Sequence, residues 1–150
     1  MTRGQIAIIH SWYGKDEVSI MTSTEFNGDM YLDGYGEEVI KLLKTVKDVA
    51  DYQYVVAKFN CDNHHYNDLD RLTWNSDGKE AENMLDFTKD YFNKWFSDYV
   101  YLKNITKKEV EIVTEERDDL GRTTGTLKTI VKPNDIVVLC FGRLVMVVKE

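Results

Sequence analysis

Residues 136–148 read IVVLCFGRLVMVV, and these two apolar runs decide the fold class. Neither Ile136–Phe141 nor Leu144–Val148 alternates between apolar and polar residues. A strand with one face in water alternates, whereas a strand that is covered on both faces has a nearly continuous apolar sequence. We therefore expect two buried strands at this point, in a sheet that is covered on each side by helices or by a second sheet.

Strand-like runs also occur earlier in the chain. Three of them lie ahead of the apolar runs, at residues 99–104, 109–115 and 126–131. Two more, Gly4–His10 and Glu17–Thr24, flank a turn sequence at residues 13–16, which predicts an N-terminal β-hairpin. An isolated hairpin is only marginally stable in water, so we expect it to join the later strands. The later strands, including the two apolar runs, are expected to form an antiparallel meander of about five strands.

Apolar residues recur at helical spacing in three segments between the hairpin and the meander. Residues 37–49 begin with two glutamates, which favour a helix N-terminus, and residues 51–59 repeat the same spacing. A third helix is predicted after a capping-box pattern at Asp77 and Glu80. It is expected to pack on the sheet through four residues, Leu85, Phe92, Trp95 and Phe96.

The segments between these elements read as loops. Residues 25–36 contain turn dipeptides without an apolar period, and residues 60–78 are polar enough to predict one long irregular connection. With 150 residues, one proline and no internal repeat, the chain is predicted to be a single α+β domain over residues 1–150. That domain comprises the N-terminal β-hairpin, about three helices and the C-terminal antiparallel meander.

The net charge excludes two classes of partner. The chain has 26 acidic and 19 basic residues, a formal charge of −7. Such a balance argues against a main affinity for nucleic acid or for an anionic membrane surface. The longest apolar runs are far shorter than the roughly 20 residues that span a bilayer, and we expect no leader before Gln5. Two cysteines are too few for a disulfide scaffold and fit a reducing compartment. A cytoplasmic location is expected.

Acidic residues concentrate in two segments that also contain aromatic residues. Residues 25–38 have five acidic residues and no basic one, and residues 62–98 have nine against four. Tyrosine and tryptophan are favoured in protein interfaces. The residues predicted to bind a partner protein with a basic surface are Asp29, Tyr31, Asp33, Tyr35, Tyr66, Asp68, Asp70 and Trp74. The alternative is that these aromatic side chains anchor their own loops.

Enzymatic activity remains an open alternative. Thr2 would be a combined nucleophile and base if Met1 were removed, as in N-terminal-nucleophile hydrolases. The run Cys61–His65 holds ligand types that bind zinc, with Cys61 and His64 three residues apart. A second ligand pair is missing from the sequence, and no hydrolase triad can be assembled from spacing. We therefore name no catalytic residue and expect no metal or cofactor.

Three short motifs in the first third of the chain resemble a group of small uncharacterised proteins of phages and their bacterial hosts. The motifs are Thr2-Arg3-Gly4 before a hairpin, Asn27-Gly28-Asp29-Met30-Tyr31, and Gly34-x-Gly36 before the first helix. The chain departs from that pattern at Leu32, where proline is expected. The resemblance implies a phage or prophage protein in the host cytoplasm.

Small acidic phage proteins often bind and inhibit a host protein. Their targets include nucleic-acid-binding defence nucleases, whose basic clefts an acidic surface can occupy, as anti-CRISPR proteins do. By this analogy, we expect the chain to bind such a host protein without contacting nucleic acid or a membrane.

Overall fold

The computed structural model describes residues 2–11, 18–23, 26–62, 71–75, 84–87 and 98–150, and within them the architecture has three layers. The larger sheet lies in the middle, with two α-helices on one face and a three-stranded sheet on the other. The prediction of an α+β chain whose central strands are covered on both sides is confirmed.

The strands are β1 (Arg3–Ser11), β2 (Val18–Ser23), β3 (Phe26–Asn27), β4 (Arg71–Asn75), β5 (Met84–Asp86), β6 (Tyr99–Asn104), β7 (Val110–Arg117), β8 (Thr123–Val131), β9 (Ile136–Cys140) and β10 (Arg143–Val148). The helices are α1 (Glu37–Lys44) and α2 (Val49–Asp62), and a tight turn, Leu32–Gly36, with non-helical backbone angles at Gly34, runs directly into α1.

The strand order of the larger sheet joins the two ends of the chain. It runs β10-β9-β6-β1-β2-β4, with β3 paired to the start of β1. Strands β1 and β2 form the predicted antiparallel hairpin, and β1 lies parallel to β6, with Ile6 opposite Tyr101. The expectation that the N-terminal hairpin joins the C-terminal strands is therefore confirmed.

The C-terminal strands do not form the single meander that the sequence predicts. Strands β6, β9 and β10 are antiparallel neighbours in the larger sheet, whereas β7 and β8 form a hairpin in the smaller sheet, beside β5. The chain leaves the larger sheet after β6 and returns at β9. In this way the β7–β8 hairpin covers the face that the helices leave open.

Two apolar cores, one on each face, explain why the central strands lack alternation. On β1, Ile6 and Ile8 face the helices while Ala7 and Ile9 face the smaller sheet, and all four are fully buried. Every residue of β9 is buried in the same way. The sequence predicts an equally buried β10, but this strand is partly exposed because it forms the edge of the sheet.

The first predicted helix is shorter than its apolar pattern. Helix α1 ends at Lys44, and α2 starts at Val49 instead of behind Asp51. Asp48 accounts for the restart, because its side chain accepts a hydrogen bond of 2.8 Å from the backbone N–H of Asp51. An aspartate in this position satisfies a free donor in the first turn of a helix and favours a new start there.

Two predictions for residues 60–96 are wrong where the structure describes them. Residues 71–75 form β4 and pair with β2, so residues 60–78 are not one irregular connection. Residues 84–86 form β5, parallel to β7, instead of part of a third helix. Leu85 and Phe87 are both buried, two residues apart, which is the period of a strand. Phe92, Trp95 and Phe96 lie outside the described residues.

The helices of the described segments are also too short or too polar to cross a membrane.

Candidate functional site

The first predicted binding segment forms one surface feature. Residues 28–38, which we name the acidic loop, connect β3 to the first turn of α1. They contain four of the five acidic residues of the segment 25–38.

The start of the acidic loop is hydrogen-bonded to Thr2, just before β1, and to Tyr101 of β6. The backbone N–H groups of Gly28 and Met30 donate to the carbonyl of Thr2, at 3.0 and 3.4 Å. The Tyr101 hydroxyl donates to the carbonyl of Met30, whose side chain is fully buried. A Cβ at Gly4 would lie 2.8 Å from the Cβ of Met30, so glycine leaves the space that Met30 fills. The separate motifs at residues 2–4 and 27–31 thus meet in space.

The second half of the loop closes on itself. The N–H groups of Gly34 and Gly36 donate to the carbonyl of Tyr31, at 2.9 and 3.1 Å, and the N–H of Tyr35 donates to the carbonyl of Asp29 at 2.7 Å. A Cβ at Gly34 would lie 2.3 Å from that same Asp29 oxygen. The turn therefore requires glycine at position 34, and three backbone hydrogen bonds close it.

This backbone presents an aromatic ring among carboxylates. Asp29, Asp33 and Glu37 are exposed, and Tyr31 is 37% exposed. The hydroxyl of Tyr31 donates a hydrogen bond of 2.9 Å to Oδ1 of Asp29, which fixes the direction of the ring. This hydrogen bond and the charge of Asp29 raise the pKa of the Tyr31 phenol.

Tyr35 has a different position from Tyr31. Its half-buried ring meets the edge of Phe59 on α2, with centroids 5.7 Å apart and ring planes at 89°. Phe59 in turn meets Phe26 edge to face, at 4.9 Å. Tyr35 therefore packs the acidic loop against the helical core, which is the loop-anchoring role that the sequence left open for such side chains.

Behind the loop lies a pair of tyrosines that sequence reasoning did not nominate. Tyr99 and Tyr101 follow each other on one face of β6, with centroids 6.2 Å apart and ring planes at 17°. Burial raises the pKa of the Tyr99 phenol, as do the nearby Cys140 and Asp33, whereas Arg143 lowers it. The only signal of this pair in the sequence is the spacing of two tyrosines in a predicted strand.

The second predicted binding segment is described only in part. The backbone of Trp74 lies in β4, opposite Ile20 of β2. Tyr66, Asp68 and Asp70 lie outside the described residues. A common face for the two acidic segments stays a prediction.

The described part of the chain shows no arrangement of side chains that supports either enzymatic alternative. The Thr2 carbonyl accepts the two hydrogen bonds from the acidic loop, and Cys61 is the penultimate residue of α2. His64 and His65 lie outside the described residues. Within the described ranges, no three side chains of His, Cys, Asp or Glu come close enough together to hold a metal ion.

Comparison of the chain with protein-family models, with curated protein sequences and with solved structures gives no match.

Proposed function

We propose that this chain is an acidic binding protein that inhibits a host protein by occupying a basic surface with its acidic loop. The observation that carries the proposal is the hydrogen bond between Tyr31 and Asp29 on a loop that is closed by its own backbone hydrogen bonds. Association loses less conformational entropy when the binding segment has its shape before the partner arrives.

The charges of the loop are available to a partner. Among the described residues, Asp29 and Asp33 form no ion pair, and Glu37 pairs only with Lys41, at 3.8 Å between two exposed side chains. Exposed pairs of this kind contribute little to stability and exchange readily with other partners. The loop therefore offers carboxylates that a cluster of lysine or arginine side chains would neutralise.

Tyr31 is the residue best placed to provide packing energy. A tyrosine buries a large area with few rotatable bonds, and such residues dominate the binding energy of many interfaces. The carboxylates around Tyr31 would mainly accelerate association, because long-range electrostatic attraction steers the encounter with a basic partner. The tyrosine would mainly set the dissociation rate.

A nucleic-acid-binding protein of the bacterial host is the partner class that fits this chemistry. Its cleft carries lysine and arginine to bind phosphates, so a surface of carboxylates competes for the same groups. The resemblance of residues 2–36 to phage and prophage proteins supports a host protein as the target. Inhibition follows because the cleft cannot hold both the acidic loop and nucleic acid.

The experiment begins with capture of the partner from bacterial lysate on the immobilised full chain, followed by kinetics with the purified partner. We expect D33K/E37K to slow association and flatten its salt dependence. Y31A is expected to accelerate dissociation, with a loss of about 2 kcal/mol in binding free energy if Tyr31 is a hot spot.

The matched control is E116K/D119K, which makes the same charge change at two exposed acidic residues outside the loop. Equal slowing of association by both double variants would show that only net charge matters. That result would refute the acidic loop as the binding surface.

A further inference from the structure

A cavity of about 530 Å³ opens on the helical side of the larger sheet, at the C-terminal end of α1. Strand β6 connects it to the site described above, since Tyr101 contacts the acidic loop and Lys103, two residues later, lines the cavity. The charged residues of its wall are Lys44, Lys47, Lys103, Lys107, Lys149 and Glu150.

Five lysines around one cavity are unexpected in a chain of charge −7. They come from four separate parts of the fold: the end of α1 and the residues after it, β6, the connection from β6 to β7, and the segment after β10. Since no sequence run contains them together, the fold alone creates this concentration of positive charge.

Lys103 is the buried member of the group. It is 3% exposed, and its ammonium donates to the carbonyls of Val46 and Lys44, just beyond and at the end of α1. These carbonyls carry the negative end of the helix dipole, which one cation satisfies. An ammonium group has three donors, so one N–H remains after both bonds. Burial lowers the pKa of Lys103, as does nearby Lys47, whereas the carboxylates of Glu150 and Asp51 raise it.

Carboxylates balance only part of this charge. Lys149 pairs with the buried Asp135 at 3.2 Å, and Glu150 accepts a hydrogen bond of 3.3 Å from Asn134 at the edge of the cavity. Asp51 lies behind the wall and accepts the backbone N–H of Lys47 at 2.9 Å. Lys44, Lys47 and Lys107 are exposed and form no ion pair with any residue that the structure describes.

The floor of the cavity is apolar. Ile136 is buried, and Ile105 and Val148 pack against the helical core beside it. The volume lies within the range of about 300–1,000 Å³ that is typical of sites for small molecules. A ligand that matches the cavity would have an anionic group for the lysines and a carbon skeleton for the floor.

We infer that this cavity binds a small organic phosphate, with the phosphate among Lys47, Lys103 and Lys107 and the organic part on Ile105 and Val148. A phosphate dianion matches a wall with more than one unbalanced cation better than a single carboxylate does. Lysine binds phosphate as a point charge and does not need the fixed planar geometry of arginine. The site is distinct from the acidic loop and does not depend on the function proposed for it.

Titration calorimetry with the full chain tests this inference. The probes are adenosine 5′-monophosphate and glucose 6-phosphate, each compared with its neutral parent, adenosine or glucose, and with inorganic phosphate. We expect at least one phosphate ester to bind more tightly than its neutral parent and than inorganic phosphate. The double variant K47Q/K107Q is expected to weaken that binding about tenfold or more, which corresponds to about 1.4 kcal/mol.

The control pair is K41Q/K128Q, which removes two exposed lysines that do not line the cavity. Near-native affinity in the control together with the loss in K47Q/K107Q would support the site. The inference is overturned if neither ester binds at millimolar concentration, if both double variants lose affinity equally, or if inorganic phosphate binds as tightly as the esters.

Discussion

The hydroxyl of Tyr101 donates a hydrogen bond to the carbonyl of Met30, 71 residues earlier in the chain. Both residues are fully buried, Tyr101 on the central strand β6 and Met30 at the base of the acidic loop. The shape of the exposed loop is therefore coupled to the core of the sheet. This contact is a means by which the fold holds Tyr31 and Asp29 in place before a partner binds.

Removing this hydroxyl should destabilise the fold. Y101F keeps the ring but leaves the buried Met30 carbonyl without this donor, at an expected cost of about 1–3 kcal/mol in unfolding free energy. The measurement is urea denaturation at equilibrium. The control is Y54F, because Tyr54 is 68% exposed and its hydroxyl can bond to water. A Y101F curve that coincides with the wild-type curve would contradict this role of the contact.

The glycine at position 36 should be intolerant of a side chain. A Cβ there would lie 2.3 Å from the Tyr101 hydroxyl and 2.8 Å from the carbonyl oxygen of Tyr31. We expect G36A to lower the unfolding free energy by about 1–3 kcal/mol, as overpacking commonly does. G125A is the matched control, because no atom lies within 4 Å of a Cβ at Gly125. Equal melting temperatures for the two variants would refute the close approach.

The hydrogen bond between Tyr31 and Asp29 should be visible in the titration of the Tyr31 phenol. The hydrogen bond to Asp29 and the charge of that carboxylate raise the Tyr31 pKa above its ordinary value of 10.0. D29N removes the charge, so the Tyr31 pKa is expected to fall toward that value. NMR of the tyrosine rings across alkaline pH measures it, with D119N as the control at another exposed aspartate. An unchanged Tyr31 titration in D29N would show that this hydrogen bond is absent in solution.

His10 should make the fold less stable in mild acid. It is 3% exposed, and burial lowers its pKa from the ordinary 6.5. The unfolded chain therefore binds the proton more readily, so stability at this site is complete above about pH 6.5 and declines as the pH falls toward the folded-state pKa. Denaturation of wild type and H10Q across this window should show a smaller slope with pH in the variant.

A direct NMR titration of the His10 ring keeps this prediction testable if H10Q does not fold. A midpoint at or above 6.5 in the folded protein would contradict it.

The sequence predicts most of this fold because its strongest signals are local. The apolar run of β9 and the turn before β2 each depend on neighbouring residues, and the structure confirms the strands that they predict. The break between α1 and α2 is harder to predict, because Val46 and Val49 continue the apolar period across it. There the capping aspartate Asp48 outweighs the period.

Long-range pairing accounts for the remaining differences. Residues 84–86 have an apolar pattern that suits either a helix or a strand, and the parallel partner β7 decides for the strand. The candidate site shows the same division. Asp29, Tyr31 and Asp33 are identifiable from composition. Only the fold places Tyr101 against the acidic loop and brings the lysines of the cavity together.

Photo-crosslinking tests most directly whether the acidic loop is the binding surface. A photoreactive phenylalanine analogue replaces Tyr31 in one variant and the more exposed Tyr54 on α2 in the other, and each is irradiated with the captured partner. We expect a covalent adduct from position 31, lost when D33K/E37K is added, and none from position 54. An adduct from position 54 with none from position 31 would refute the acidic loop as the binding surface.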